Sequence, residues 1–326
     1  MLTLAYQFRI IASKINGLTA WIQVYGMKNS TKWLLIILGI LVFVGGTVSL
    51  FVFLFLAGLT QDSDEVVGYG DKVAVVELTG EIVSSENIVR ELKKFREDRS
   101  VKAVLLRIES PGGGVVASQE IYEEVKKTRD HGKPVVVSMG SVAASGGYYA
   151  ACGGSRIVAN PGTLTGSIGV ISQFMRYDSL LKKIGVGVNT VKSGKMKDAG
   201  NPFREMSKDD REYFQTLMDD VHHQFVSVVE NERKLSHEVV SAFAVGRAFT
   251  GTQALKLKLI DTLGTYEDAI MIAGKLAGIK GKPSLVRERR HRLTILDNLF
   301  GESKFQELLN FKDELLNRPI LQYKMQ

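Results

Sequence analysis

Cysteine, histidine and early negative charge are what this chain has least of. One cysteine, Cys152, stands in 326 residues, so no disulfide can form within the chain, and cysteine usage leaves the compartment undecided. The five histidines are scattered, and neither they nor the cysteine show zinc-ligand spacing, so no metal and no cofactor is expected. No acidic residue precedes Asp62, and no charge of either sign lies between Lys32 and Asp62. The net charge of +7 invites a nucleic-acid reading, but Arg9, Lys14, Lys28 and Lys32 carry four of those charges, leaving +3 on the rest. That is an ordinary soluble surface, and with no RNP-like aromatic pattern or basic helix, nucleic acid is not an expected partner.

What is present begins with an apolar run. Leu34 to Leu59 is Leu, Ile, Val and Phe with scattered glycines, long enough to span a bilayer with some tilt. Nothing after it resembles a small-x-small cleavage site, so an uncleaved anchor over 33–60 is expected. The cations before it and Asp62, Asp64, Glu65 and Asp71 after it place segment 1–32 in the cytoplasm and the rest outside it. Leu2–Val24 mixes apolar and basic residues and reads equally as a helix on the membrane surface or as a tail.

Beyond a linker at 61–71, strand and helix periods alternate. Strands are expected at 72–79, 103–108, 134–138, 156–159 and 186–191, and a strand or bulged hairpin at 163–172. Helices are expected at 84–96, 115–128, after Ser145, at 177–184, from Ser207 to about Arg233, near 236–244 and 252–258, and at 266–276. Ser207 and Asp210 fit the start of the long helix. This order argues for a parallel sheet with right-handed crossovers, with its sites at the carboxyl ends of strands. A basic tail over 281–326 carries an amphipathic pattern at Ile295–Leu316.

Two stretches follow strands directly and therefore belong at one edge of the sheet. The first is Glu109-Ser-Pro-Gly-Gly-Gly114 and the second is Gly140-Ser-Val-Ala-Ala-Ser145-Gly-Gly. Ser145 falls at a helix start, where unpaired N–H groups favour a developing negative charge. The same residues would also suit a helix packed tightly on a sheet with the serine merely tolerated. Pro111–Gly114 lacks the Gly-Lys-Ser/Thr of a phosphate loop, but its glycines let a backbone N–H approach a ligand. Gly113 and Gly146 are thus the candidate oxyanion donors. Cys152 reads as a buried small residue.

A serine nucleophile needs a base. His131 lies at the wrong end of its strand, His222 and His223 lie mid-helix, His237 is in a later helix and His291 in the tail. A lysine could serve if neutral, which takes roughly 4–5 kcal/mol of destabilisation of its charged form. Lys192, Lys195 and Lys197 share one glycine-flanked loop.

Five ordered blocks carry a family resemblance: Glu109-Ser-Pro-Gly-Gly-Gly-Val, Gly140-Ser-Val-Ala-Ala-Ser-Gly-Gly-Tyr-Tyr, Gly162-Thr-Leu-Thr-Gly-Ser-Ile-Gly-Val, Ser193-Gly-Lys-Met-Lys-Asp-Ala-Gly and Gly246-Arg-Ala-Phe-Thr-Gly. Together they resemble the short, single-repeat form of the signal peptide peptidase A family, over about residues 70–280. The resemblance implies a membrane-anchored serine endopeptidase with a Ser/Lys dyad. It implies an α/β crotonase/Clp-protease-like core of repeated β-β-α units over 72–280, preceded by one transmembrane helix. It assigns the nucleophile to Ser145 and the general base to Lys197, with remnant signal peptides as substrates. Longer members split the dyad between tandem repeats, so a homo-oligomer is expected here, with Ser145 and Lys197 of one site drawn from different copies. A silent membrane scaffold and a crotonase-like acyl-CoA enzyme are the alternatives. Leu257-Lys258-Leu-Ile-Asp261 departs from the family in having lysine where glycine is frequent.

Overall fold

In Lys72–Thr79 (β2), Val73 and Val75 alternate with Ala74, Val76 and Leu78, and a period of two sends the two sets to opposite faces of a sheet. Val101–Ser110 (β3) and Val135–Ala144 (β5) repeat the pattern, and all are buried on both faces. Such strands suit the interior of a parallel sheet covered by helices on each side. The computed structural model has this architecture. It describes residues 29–59, 65–67, 71–288 and 322–324, and the chain divides into two compact units, 1–63 and 64–326.

Among the described residues the first unit contains one helix, Asn29–Leu59 (α1), of 31 residues. Among the described residues no helix is long and apolar enough to cross a membrane. The expected anchor over 33–60 is therefore not established by the structure. Leu2–Val24 lies outside the described residues.

The second unit is built on one sheet. Its main path runs Glu65–Val67 (β1), Ser284–Arg287 (β10), β2, β3, β5, Arg156–Ala159 (β6) and Thr262–Leu263 (β9). Every neighbouring pair on it is parallel except β1 with β10. Leu164–Gly166 (β7) pairs parallel with the end of β5 and antiparallel with Ala248–Thr250 (β8). A second small sheet joins Gly112–Gly114 (β4) to Gln322–Lys324 (β11).

Helices cover both faces. Glu86–Glu97 (α2) buries Ile88, Leu92 and Phe95, the stripe expected of it, on the larger core. Val115–Asp130 (α3), Gly146–Ala151 (α4) and Lys208–Arg233 (α6) pack into the same core through Ile121, Tyr148 and Phe225. On the other face Tyr266–Leu276 (α9) sets Ala269, Ile270 and Ala273 against Val73, Val75, Leu105 and Val136. Asp178–Lys183 (α5), His237–Phe243 (α7) and Gly251–Lys256 (α8) complete the helices. α6 starts on a full capping box: Asp210 N–H donates to Ser207 Oγ at 3.1 Å, and Ser207 N–H donates to Asp210 Oδ2 at 2.9 Å.

Three expectations need correction. β5 runs on to Ala144, well past the expected end at Ser138, because β7 offers it a second partner. The strand or hairpin expected over 163–172 shrinks to β7. Val186–Val191 forms no strand. Its apolar alternation has no partner strand among the described residues, and Val186, Val188 and Val191 stand exposed. Ile295–Leu316 and His291 lie outside the described residues.

Leu106 is fully buried at the centre of β3. Leu106→Ala should destabilise the domain by about 2–5 kcal/mol, measured by denaturant unfolding followed by circular dichroism.

Candidate active site

β3 and β5 lie side by side and parallel, with Val104 opposite Val135 and Ile108 opposite Met139, so both strands end on the same edge of the sheet. The first passes through Ser110 and Pro111 into β4, turning at Gly112 with φ +103. One edge of β4 is taken by Ile82, whose N–H donates to Gly112 O at 2.9 Å and whose carbonyl accepts Gly114 N–H at 2.7 Å. A Cβ on Gly113 would overlap the Ile82 backbone, so this approach needs glycine. The opposite edge of β4 pairs antiparallel with β11, Tyr323 facing Gly113.

The second strand delivers Ser145, with φ 52 and ψ −116. That is a backbone region which non-glycine residues avoid, at a cost of roughly 1–3 kcal/mol. Three contacts hold it there. Val142–Ala144 pair with β7, Ser145 N–H donates to Gly166 O at 2.7 Å, and Tyr149 N–H donates to Ser145 O at 2.8 Å. The residue is 1 % exposed, and its Oγ has no hydrogen-bond partner among the described residues. A strained backbone and an unpaired buried hydroxyl are both unfavourable to the fold, and such costs concentrate where chemistry is done. Gly146 opens α4, where first-turn N–H groups have no intrahelical acceptor. α4 packs on β4, and Gly147 is seated so closely over Ser110 that an added Cβ would lie 3.1 Å from its carbonyl oxygen. Gly113, Gly146 and Ser145 thus belong to one junction of β4 with α4.

The lysine loop lies elsewhere in the chain, on a 3-10 turn at Lys195–Asp198. Lys192 donates to Lys195 O at 2.9 Å and pairs with Asp198, and Lys195 pairs with Asp209. Hydrogen bonding to Asp209 raises the Lys195 pKa, the wrong direction for a base. Arg204 pairs with Asp198 at 2.9 Å and also with Asp210. Arg204 and Lys192 bring the Asp198 carboxyl down to about 2. Lys197 is exposed and, of the three loop lysines, is the one without a carboxylate partner among the described residues. Within one chain the structure does not bring Lys197 into hydrogen-bonding contact with Ser145.

The described histidines are engaged away from Ser145. His131 Nδ1 lies 2.8 Å from Lys127 O, His222 Nε2 lies 2.9 Å from Ala244 O, and His237 Nδ1 lies 2.7 Å from Glu230; His223 adjoins His222. Cys152 is buried, as expected, and burial pushes its thiol up to about 12. Among the described residues no group of three or more His, Cys, Asp or Glu could hold a metal ion. The sequence reading missed the part played by Gly166, although it lies within the third of the five blocks, because a carbonyl acceptor leaves no mark in residue type.

A parallel sheet with helices on both faces is a mixed α/β, Clp-protease-like architecture; the Clp protease family model matches residues 62–163 and the Peptidase family S49 model residues 127–280, and these matches make the chain a serine peptidase. The chain is 47% identical to a provisionally named protease of Synechocystis, over 64% of this chain and 75% of that one. It is 36% identical to a provisionally named protease of Methanocaldococcus jannaschii, over 72% of this chain and 79% of that one. It is 33% identical to the chloroplastic serine protease SPPA of Arabidopsis thaliana, over 75% of this chain and 37% of that one. The chain belongs to peptidase family S49, the signal peptide peptidase A family.

Because the Cys152 thiol is buried and raised, a maleimide should leave it unmodified at pH 8 in the folded protein and modify it after denaturation. Mass spectrometry reads the difference, and rapid native labelling would contradict the placement of Cys152.

Proposed function

We propose that this protein is a membrane-anchored serine endopeptidase that cuts remnant signal peptides, with Ser145 as nucleophile and Lys197 of a neighbouring copy as general base. The observation that carries this reading is the buried Ser145 hydroxyl, without a partner among the described residues, on a strained strand-to-helix turn. Among the described residues no base reaches it, and Lys197 has no carboxylate partner on a loop whose other two lysines are tied to carboxylates. The loop continues an arm with Met175, Leu180, Ile184 and Val191 in solvent, an apolar surface that a second copy would cover. Covering it would also desolvate Lys197, as a neutral amine requires.

The reaction is acyl transfer. The Lys197 amine takes the Ser145 proton as Oγ bonds to the peptide carbonyl carbon, and N–H groups of Gly113 and Gly146 receive the oxyanion. The C–N bond then breaks, and the lysine gives its proton to the leaving amine. Water attacks the acyl-enzyme, releasing the acid and restoring the serine. With one edge of β4 held by Ile82, an extended peptide has the other edge to pair with, the edge that β11 occupies.

Support for the anchor comes from the sequence: Leu34 to Leu59 is an apolar run, and no charge lies between Lys32 and Asp62. The cations that precede it favour a cytoplasmic N-terminus and an extracytoplasmic peptidase. Such a position gives access to peptides left in the bilayer after export.

Ser145→Ala and Lys197→Ala should each lower peptide hydrolysis at least about a thousandfold. Co-assembled mixtures of the two should recover part of the activity. Mixed assemblies with no recovery would mean that one chain supplies both groups. A chain ending at Glu288 lacks β11 and should show a lower KM for peptides; an unchanged KM would place the substrate on another edge.

A further inference from the structure

β5 carries two more residues than β3 at the point where it bends toward Ser145. Ile108 faces Met139 and Ser110 faces Ala143, so Glu109 alone lies opposite Gly140, Ser141 and Val142. Residues inserted in this way lose their ladder partners, and their N–H groups need other acceptors. The Glu109 side chain accepts both. Its Oε2 takes the Ser141 N–H at 2.8 Å and its Oε1 takes the Val142 N–H at 3.0 Å. Hydrogen bonds to a carboxylate are stronger than those between neutral groups. Gly140 leaves the space for it, since an added Cβ would overlap the Glu109 carboxylate.

The bulge is also where β5 changes neighbours. Val136–Ser138 pair with β6, whereas Val142–Ala144 pair with β7. Arg107, two residues before Glu109, fixes the approach by donating to Ser138 Oγ at 2.9 Å and Met139 O at 3.2 Å. Thr163 Oγ1 donates to Gly140 O at 2.7 Å from the other side. Glu109 itself leads through Ser110 into β4, so one side chain links the candidate oxyanion strand to the strand that carries Ser145.

We propose that Glu109 is a positioning residue for Ser145: its carboxylate holds the bulge at Gly140–Val142 and so sets the angle at which β5 presents the nucleophile. This rests on the reading of Ser145 as nucleophile. Glu109 touches neither Ser145 nor substrate, and its effect is on the rate of attack rather than on peptide binding.

The test is Glu109→Gln in the full chain, which keeps the size of the side chain and turns one acceptor into an NH2 group facing a backbone N–H. Peptide kcat and KM are measured beside the rate at which a fluorophosphonate modifies Ser145, with thermal unfolding and assembly size as controls. The expected result is a fall in kcat and in labelling rate of about 10- to 100-fold, the scale set by misplacing a reacting group by ~1 Å. KM should stay within roughly twofold, as for loss of an interaction acting only on the chemical step. Glu109→Asp, which keeps the carboxylate, should recover part of the loss and serves if the Gln variant does not fold. A folded, assembled Gln variant labelled at the wild-type rate would overturn the proposal, as would a change confined to KM or to unfolding temperature. Failure of the wild type to be labelled at Ser145 would instead remove the nucleophile reading, and this proposal with it.

Discussion

The parallel pairing of β3 with β5 is the constraint on which the rest of the molecule depends. Two strands that run the same way finish at the same edge, so whatever leaves their carboxyl ends must meet. Here those exits are a glycine strand and a serine turn. Keeping the pair parallel demands burial of both faces, which α2, α3, α4 and α6 supply on one side and α9 on the other. The site is therefore held by the core of the domain rather than by surface loops.

That rigidity offsets a local cost. Ser145 adopts a backbone conformation suited to glycine and buries a hydroxyl with no partner among the described residues. Either feature alone would be disfavoured. Both persist because β7 fixes the chain on one side and α4 fixes it on the other. The register break between Ile108 and Ser110 belongs to the same arrangement, since without it β5 would not leave β6 for β7.

Charge is arranged differently around Ser145 and around the lysine loop. The hydrogen bonds of Ser145 are to backbone groups, from its N–H to Gly166 O and to its carbonyl from Tyr149 N–H. Around the lysine loop, Arg204 joins Asp198 to Asp210, Asp198 also pairs with Lys192, and Asp209 pairs with Lys195, while Lys197 has no such partner among the described residues. The exposed apolar arm next to that loop is the opposite of the sealed core under Ser145. Ser145 lies in the packed interior of the domain, whereas the lysine loop lies in solvent.

Much of the fold is legible in residue order. β2, β6 and α9 fall where their periods place them, and α6 starts at the Ser207–Asp210 cap. Ser145 stands out because a β-branched strand ends in small residues there, and Gly113 because glycines follow a strand. Periodicity failed at Val186–Val191, since alternation makes a strand only where a partner edge exists. It fell short at β5, whose last residues are held by β7 from more than twenty positions away. Residue type and period by themselves determined the central strands up to where β7 takes over, most helices and the edge at which the serine emerges, because those are properties of neighbours along the chain. Only the tertiary structure decided that Gly166 holds Ser145, that Glu109 fills the bulge and that two of three lysines are tied to carboxylates. Those contacts join atoms through space, and no local pattern records them.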